Sequence, residues 1–108
     1  MNRNLAIVPA HNEVEAIGST IATIHQWAPD FDVPAIDDGS ADATGERAAA
    51  AGAAVLRLPF NLGIGGAMQS GYIYALERGY DVAVQVDGDG QHDPRFIPEL
   101  LERLALLQ

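Results

Sequence analysis

The sequence predicts an α/β fold: a parallel sheet with helices on both faces. Three observations carry this. Short apolar runs alternate with stretches of helical period, four such units follow one another, and the most acidic segments fall just after apolar runs. At 108 residues the chain fits one domain, and 48% hydrophobic residues place it with globular chains rather than disordered ones.

The first strand is Leu5-Ala6-Ile7-Val8-Pro9. Val14, Ile17, Ile21, Ile24 and Ala28 then recur at steps of three and four, which places them on one face of a helix. Phe31 to Ile36 is the second strand, and Asp37-Asp38-Gly39-Ser40 the turn leaving it. Asp42 is placed to cap a second helix that runs through Ala48 to Ala51, with Gly52 to end it. Ala54-Val55-Leu56-Arg57-Leu58 is the third strand.

A glycine-rich turn, Asn61-Leu62-Gly63-Ile64-Gly65-Gly66, opens a third helix. Its inward stripe is expected at Ala67, Met68, Gly71, Tyr72, Ala75 and Leu76, with Gly79 at its end. Val82 to Val86 is the fourth strand. Asp93-Pro94 supplies a cap and first-turn proline for a last helix, whose apolar face carries Phe96, Ile97, Leu100, Leu101 and Leu104. The apolar run to the final residue is either a fraying helix end or a face covered by further protein.

Right-handed crossovers favour the strand order 3-2-1-4. Ligands bind beyond the carboxyl ends of the strands where the chain reverses direction across such a sheet. His11-Asn12-Glu13, Asp37 to Ser40 and Asp87 to Asp93 all leave strands at that edge. The acidic loops and the expected ligand crevice therefore coincide.

Charge narrows the ligand. Fifteen acidic residues against six basic ones give a net charge of −9, all six are arginines, and this argues against binding a nucleic-acid backbone. A phosphate ligand would be repelled here unless a cation intervened. The absence of cysteine excludes disulfides, thiolate zinc sites and a cysteine nucleophile, and fits a cytoplasmic setting. Met1-Asn2-Arg3-Asn4 runs straight into a strand pattern, so no signal peptide is expected. No apolar run approaches the roughly 20 residues of a membrane helix.

Asp87-Gly88-Asp89 follows an apolar strand, and the glycine between the carboxylates leaves the backbone free to turn both toward one point. Hard oxygen ligands of this kind suit Mg2+ or Mn2+, completed by substrate phosphates and water. Gln91 and His92 lie near enough in sequence to assist. A solvated acidic turn is the competing reading, and the position after a buried strand favours the metal. A calcium-binding EF-hand fails, because its sixth and twelfth loop positions would be His92 and Pro98. An aspartyl-nucleophile phosphatase also places Asp-x-Asp after a strand, but Gln91 stands where such enzymes usually carry threonine, and the chain has no lysine.

Asp37 and Asp38 either form a plain turn or accept hydrogen bonds from a base or ribose. Pro9 to Glu13 either caps the first helix or walls a nucleotide base. The glycine-rich turn is not a Walker loop, lacking the Lys-Ser/Thr pair. Its amides either approach an anion or serve close helix packing.

Together, Pro9-Ala10-His11-Asn12-Glu13, Asp37-Asp38-Gly39-Ser40, Asn61 to Ala67 and Asp87 to Pro94 resemble family 2 glycosyltransferases in order and spacing. The likeness is greatest to the dolichyl-phosphate mannose synthase and polyprenyl-phosphate glycosyltransferase branch. The resemblance implies a Rossmann-like GT-A fold, with residues 1–108 as its N-terminal nucleotide-diphospho-sugar-binding half and an acceptor portion beyond.

It also implies site residues. Asp87 and Asp89 would be catalytic, with Asp89 the chief ligand of Mg2+ or Mn2+ and Asp87 and Gln91 assisting. Pro9, His11, Glu13, Asp37, Asp38 and Gly65 would contact a nucleotide-sugar donor. The reaction implied is inverting sugar transfer to a lipid phosphate or saccharide acceptor, at the cytoplasmic face of a membrane. Peripheral membrane contact would come through the C-terminal portion, and the apolar C-terminal face could pair two copies. Where many relatives carry lysine, this chain has Ile64. A non-catalytic nucleotide-sugar-binding remnant is the alternative, and the phosphatase a more distant one.

Overall fold

A computed structural model describes residues 3–89. The last expected helix, the apolar C-terminal run and Gln91 lie outside the described residues.

The described chain runs β1 (Asn4–Ala10), α1 (Ile17–Trp27), β2 (Phe31–Asp32), β3 (Pro34–Asp37), α2 (Thr44–Ala50), β4 (Ala54–Arg57), α3 (Gly63–Glu77) and β5 (Val82–Gln85). Every strand pairing is parallel. Asn4 stands opposite Phe31 and Val8 opposite Ala35, the same register offset, so β2 and β3 are two halves of one strand along one edge of β1. Pro34 follows the break at Val33, and a residue without an N–H interrupts a ladder there. β4 pairs with β3, and β5 pairs with the other edge of β1. Counting β2 and β3 as the second strand, this is the expected order 3-2-1-4.

The core has two layers. On one face Ala6, Val8 and Ala10 of β1 pack with Ile17, Ile21 and Ile24 of α1 and Ala48 of α2. On the other, Leu5 and Ile7 pack with Ala67, Met68 and Ala75 of α3. The alternation along β1 is the two-residue period of a strand buried on both sides. Ile17, Ile21 and Ile24 are wholly buried, as their helical spacing requires.

The α3 stripe differs from expectation. Ala67, Met68, Gly71 and Ala75 are buried, but Tyr72 is 46% and Leu76 80% exposed. Gly71 explains the contact: a Cβ there would meet Ile7 Cγ2 at 2.6 Å, so the helix closes on β1 through its backbone. The stripe centred on Gly71 takes in half-buried Tyr74, while Tyr72 and Leu76 fall past its edge. Ala43, not Asp42, takes the N-cap position of α2 and makes no side-chain cap bond; Asp42 stands one residue earlier, where its Oδ1 accepts the Thr44 N–H (3.0 Å). Gly52 and Gly79 end α2 and α3 with φ of +96° and +73°. Among the described residues no helix is long and apolar enough to cross a membrane.

Candidate functional site

β1, β3 and β5 end at the same edge of the sheet, and the segments leaving them are tied together by polar bonds. The Asp38 N–H donates to the Ala10 carbonyl (2.9 Å). Asn12 occupies the left-handed region (φ 53°), which asparagine tolerates better than most residues. In that conformation its N–H donates to Ser40 Oγ (3.0 Å) while its Oδ1 accepts the Ala41 N–H (2.9 Å). The Glu13 N–H donates to Thr44 Oγ1 (2.9 Å), and Thr44 is fully buried. His11 Nδ1 lies 2.8 Å from the Asp38 carbonyl. A carbonyl only accepts, so Nδ1 carries the proton of this pair.

Between these segments and the start of α3 lies a cavity of about 300 Å3. Pro9, Ala10, His11, Glu13 and Asp38 line one side, Asn61, Gly63, Ile64 and Ala67 another, and Gln85, Asp87, Gly88 and Asp89 a third. The expected residues Pro9, His11, Glu13, Asp38, Asp87 and Asp89 are therefore brought together.

Two expected residues are placed elsewhere. Asp37 is absent from the lining: its Oδ1 accepts the Ser40 N–H (3.1 Å), and its Oδ2 lies 3.6 Å from Arg57, which also meets Glu46 at 3.2 Å. Gly65 is exposed in the first turn of α3 and does not line the cavity. Gln91 lies outside the described residues.

Gly88 has a different purpose from the flexible spacer expected. It is buried, its N–H donates to the Pro9 carbonyl (3.2 Å), and a Cβ would meet Ala10 Cβ at 2.9 Å and Ile17 Cδ1 at 3.1 Å. Glycine here lets the backbone between the aspartates lie against β1 and α1, so each flanking carboxylate starts from a fixed point. Gln85 was missed, although it is the one polar residue in an otherwise apolar strand, and its Nε2 donates to Asp87 Oδ1 (2.7 Å). Asn61 was seen only as part of a turn.

The site is electronegative. Burial pushes the Glu13 carboxyl above its ordinary value, the Asp89 and Asp42 carboxylates push the same way, and His11 pulls it down. Among the described residues no arginine lines the cavity. Among the described residues no three His, Asp or Glu side chains form a metal-ligating group. Two hard carboxylates on one loop with a third nearby suit Mg2+ or Mn2+ when water and ligand phosphates complete the shell, as is usual for Mg2+.

Residues 5–106 match the family described as Glycosyl transferase family 2. The chain is 41% identical over 105 residues to the undecaprenyl-phosphate mannosyltransferase of Micrococcus luteus, covering 93% of this chain and 43% of that protein. It is 34% identical over 106 residues to the polyprenol monophosphomannose synthase of Mycolicibacterium smegmatis, covering 93% and 40%. Among solved structures it is similar to glucosyl-3-phosphoglycerate synthase from Mycobacterium tuberculosis in complex with Mn2+, UDP-glucose and phosphoglyceric acid. There the TM-score is 0.77 at 29% identity, covering 95% of this chain and 39% of the other. The chain thus spans less than half the length of these relatives. With its sheet order, its loops and its matched residues in agreement, the chain belongs to glycosyl transferase family 2 and carries the Rossmann-like GT-A fold.

Proposed function

We propose that this chain is the sugar-donor-binding half of a divalent-metal-dependent, inverting glycosyltransferase that acts on a polyprenyl-phosphate acceptor. One observation carries the reading: Glu13, Asp87 and Asp89 line one cavity at the carboxyl ends of β1, β3 and β5. The two mannosyltransferase relatives support the acceptor class, and the manganese and UDP-glucose complex of the solved neighbour supports the donor and the metal.

In this reading Pro9, His11 and Glu13 face the nucleoside, with Asp38 in the same wall. Asp89 would be the chief metal ligand, assisted by Asp87 and Gln91, and the residues described fit a hard divalent cation. Bound there, the cation would offset the charge that builds on the departing nucleoside diphosphate. Gln85 holds Asp87 through one carboxylate oxygen and so limits its rotation.

In the transfer, a phosphate oxygen of the acceptor forms a bond to the anomeric carbon from the face opposite the leaving group. The bond from that carbon to the β-phosphate oxygen breaks, and its electron pair leaves with the nucleoside diphosphate. An acceptor already anionic gives up no proton in this step, so no strong base is required.

Isothermal titration with UDP- and GDP-sugars, with and without Mn2+, tests the reading. Metal-dependent binding of one of them is expected. The absence of nucleotide binding under both conditions would remove the proposal.

A further inference from the structure

The chain beyond β5 keeps the register of the sheet. The Val86 N–H donates to the Ile7 carbonyl (2.9 Å) and the Gly88 N–H to the Pro9 carbonyl (3.2 Å), so the alternation of a strand runs on past the last paired residue. Val86 and Gly88 face α1: Val86 is buried in the same layer as Ile17, and a Cβ on Gly88 would meet Ile17 Cδ1. Gln85 and Asp87 therefore project on the other side, where Ala83 packs toward α3. At that two-residue spacing their side chains meet, and Gln85 Nε2 donates to Asp87 Oδ1 at 2.7 Å.

The donor is an amide, and that matters for charge. Asp37 has Arg57 at 3.6 Å, which sets a positive charge against its carboxylate. Asp87 is held by a group with no net charge. A carboxamide limits the rotation of a carboxylate without neutralising it, whereas a guanidinium in its place would repel a metal cation. Gln85 lines the cavity together with Glu13, Asp87 and Asp89, and none of the described arginines does. The bond is open to solvent, so it adds little to the stability of the fold.

We infer that Gln85 is a positioning residue for the metal-bound donor, holding the Asp87 carboxylate in one rotation while leaving its charge in place. The inference rests on the reading above, in which Asp87 assists Asp89 at a divalent cation. It deepens that reading by assigning the orientation of Asp87 to a residue of the strand before it. Groups of this kind touch a ligand of the metal rather than the metal, and their loss typically costs tenfold or more in metal affinity.

The test is the affinity for the Mn2+ complexes of UDP and GDP, read by titration calorimetry without turnover. Gln85→Met keeps the length of the side chain and loses the donor. It should bind whichever complex wild type takes about tenfold more weakly, with the thermal midpoint unchanged. Gln85→Glu keeps an oxygen at the same reach but sets acceptor against acceptor, and at about pH 8 it should lose at least as much. Unaltered or tighter binding in Gln85→Glu would make position 85 a metal ligand and overturn the inference. In an Asp87→Ala background, adding Gln85→Met should change affinity by less than about twofold, because the carboxylate it acts through is gone. A merely structural role would lower affinity in either background, so a full tenfold loss there would also overturn it. Equal affinity of wild type and Gln85→Met would sink the inference and leave the donor-binding reading standing. A wild type that binds neither complex would remove that reading, and the inference with it.

Discussion

The two ends of the sheet use the same residue types for different purposes. At the amino end, Arg3 stacks over Tyr80 and Arg78 over Tyr74, each guanidinium 4.4 Å from the ring centre. Tyr74 and Tyr80 stack on each other at 6.4 Å, Tyr80 donates to Asp32 (2.6 Å), and the Arg3 N–H donates to Asp81 (2.8 Å). Acids there meet hydroxyl or N–H donors beside arginines. At the carboxyl end, acids line a cavity to which none of the described arginines contributes, and Glu13 feels Asp89 as a like charge. Carboxylates paired with arginine, hydroxyl or N–H donors away from a cavity report on stability, and a carboxylate facing a like charge at a cavity reports on a ligand. Asp37 stands at the site end but belongs to the first class, since its partners are arginine and a backbone N–H, whereas Asp38 both accepts backbone N–H groups and lines the cavity.

Breaking the carboxyl end through its backbone should have the largest effect. In Gly39→Ala the new methyl group falls on the Phe60–Asn61 backbone at a positive φ, and neither side can yield cheaply. Denaturant unfolding should show a loss of about 3 kcal/mol. A loss under about 1 kcal/mol would mean that the segment shifts freely. Asp89→Asn sharpens the contrast instead, because it removes charge from the cavity. Affinity for the nucleotide in Mn2+ should fall about a hundredfold while circular dichroism stays that of wild type. Unchanged affinity would move the cation, or the ligand, elsewhere. Asn12→Ala loses the acceptor for the Ala41 N–H and puts alanine at φ 53°, so it should cost about 1–2 kcal/mol of stability. Wild-type stability would show that Ser40 and Thr44 hold the rim unaided.

Much of this was legible in the sequence because it rests on local periods. The alternation along β1 and the spacing of Ile17, Ile21 and Ile24 follow from strand and helix geometry, and the crossovers then bring the acidic loops to one edge. What was not legible depends on approach between distant segments. Gly88 reads as a hinge between two aspartates until Ala10 and Ile17 are seen against it. Nothing local announces that both Asp38 oxygens accept the Leu62 and Gly63 amides, 24 and 25 residues on. Tyr72 and Leu76 have the spacing of a buried stripe, but the contact at Gly71 turns the helix so that they miss the sheet. Gln85 could have been found, since it is the one polar residue of an apolar strand and stands two positions before Asp87, where their side chains meet.

The smallest effect comes from the amino end, and it separates the two ends most cleanly. Burial raises the Tyr80 hydroxyl above its ordinary value of 10.0, and the hydrogen bond to Asp32 and the charge of that carboxylate raise it further. The neutral phenol is therefore favoured in the folded state. Its contribution to stability is full below the unfolded value and is lost as pH rises through the higher folded one. Tyr80→Phe should lower stability at neutral pH by less than about 1 kcal/mol, because the bond is exposed. It should also flatten the part of the alkaline decline that wild type shows above pH 10, and leave nucleotide affinity unchanged, since Tyr80 is not among the residues lining the cavity. If Tyr80→Phe weakened nucleotide binding as Asp89→Asn does, the two ends would be coupled through β1 and β5, and their division into a stabilising end and a binding end would not stand.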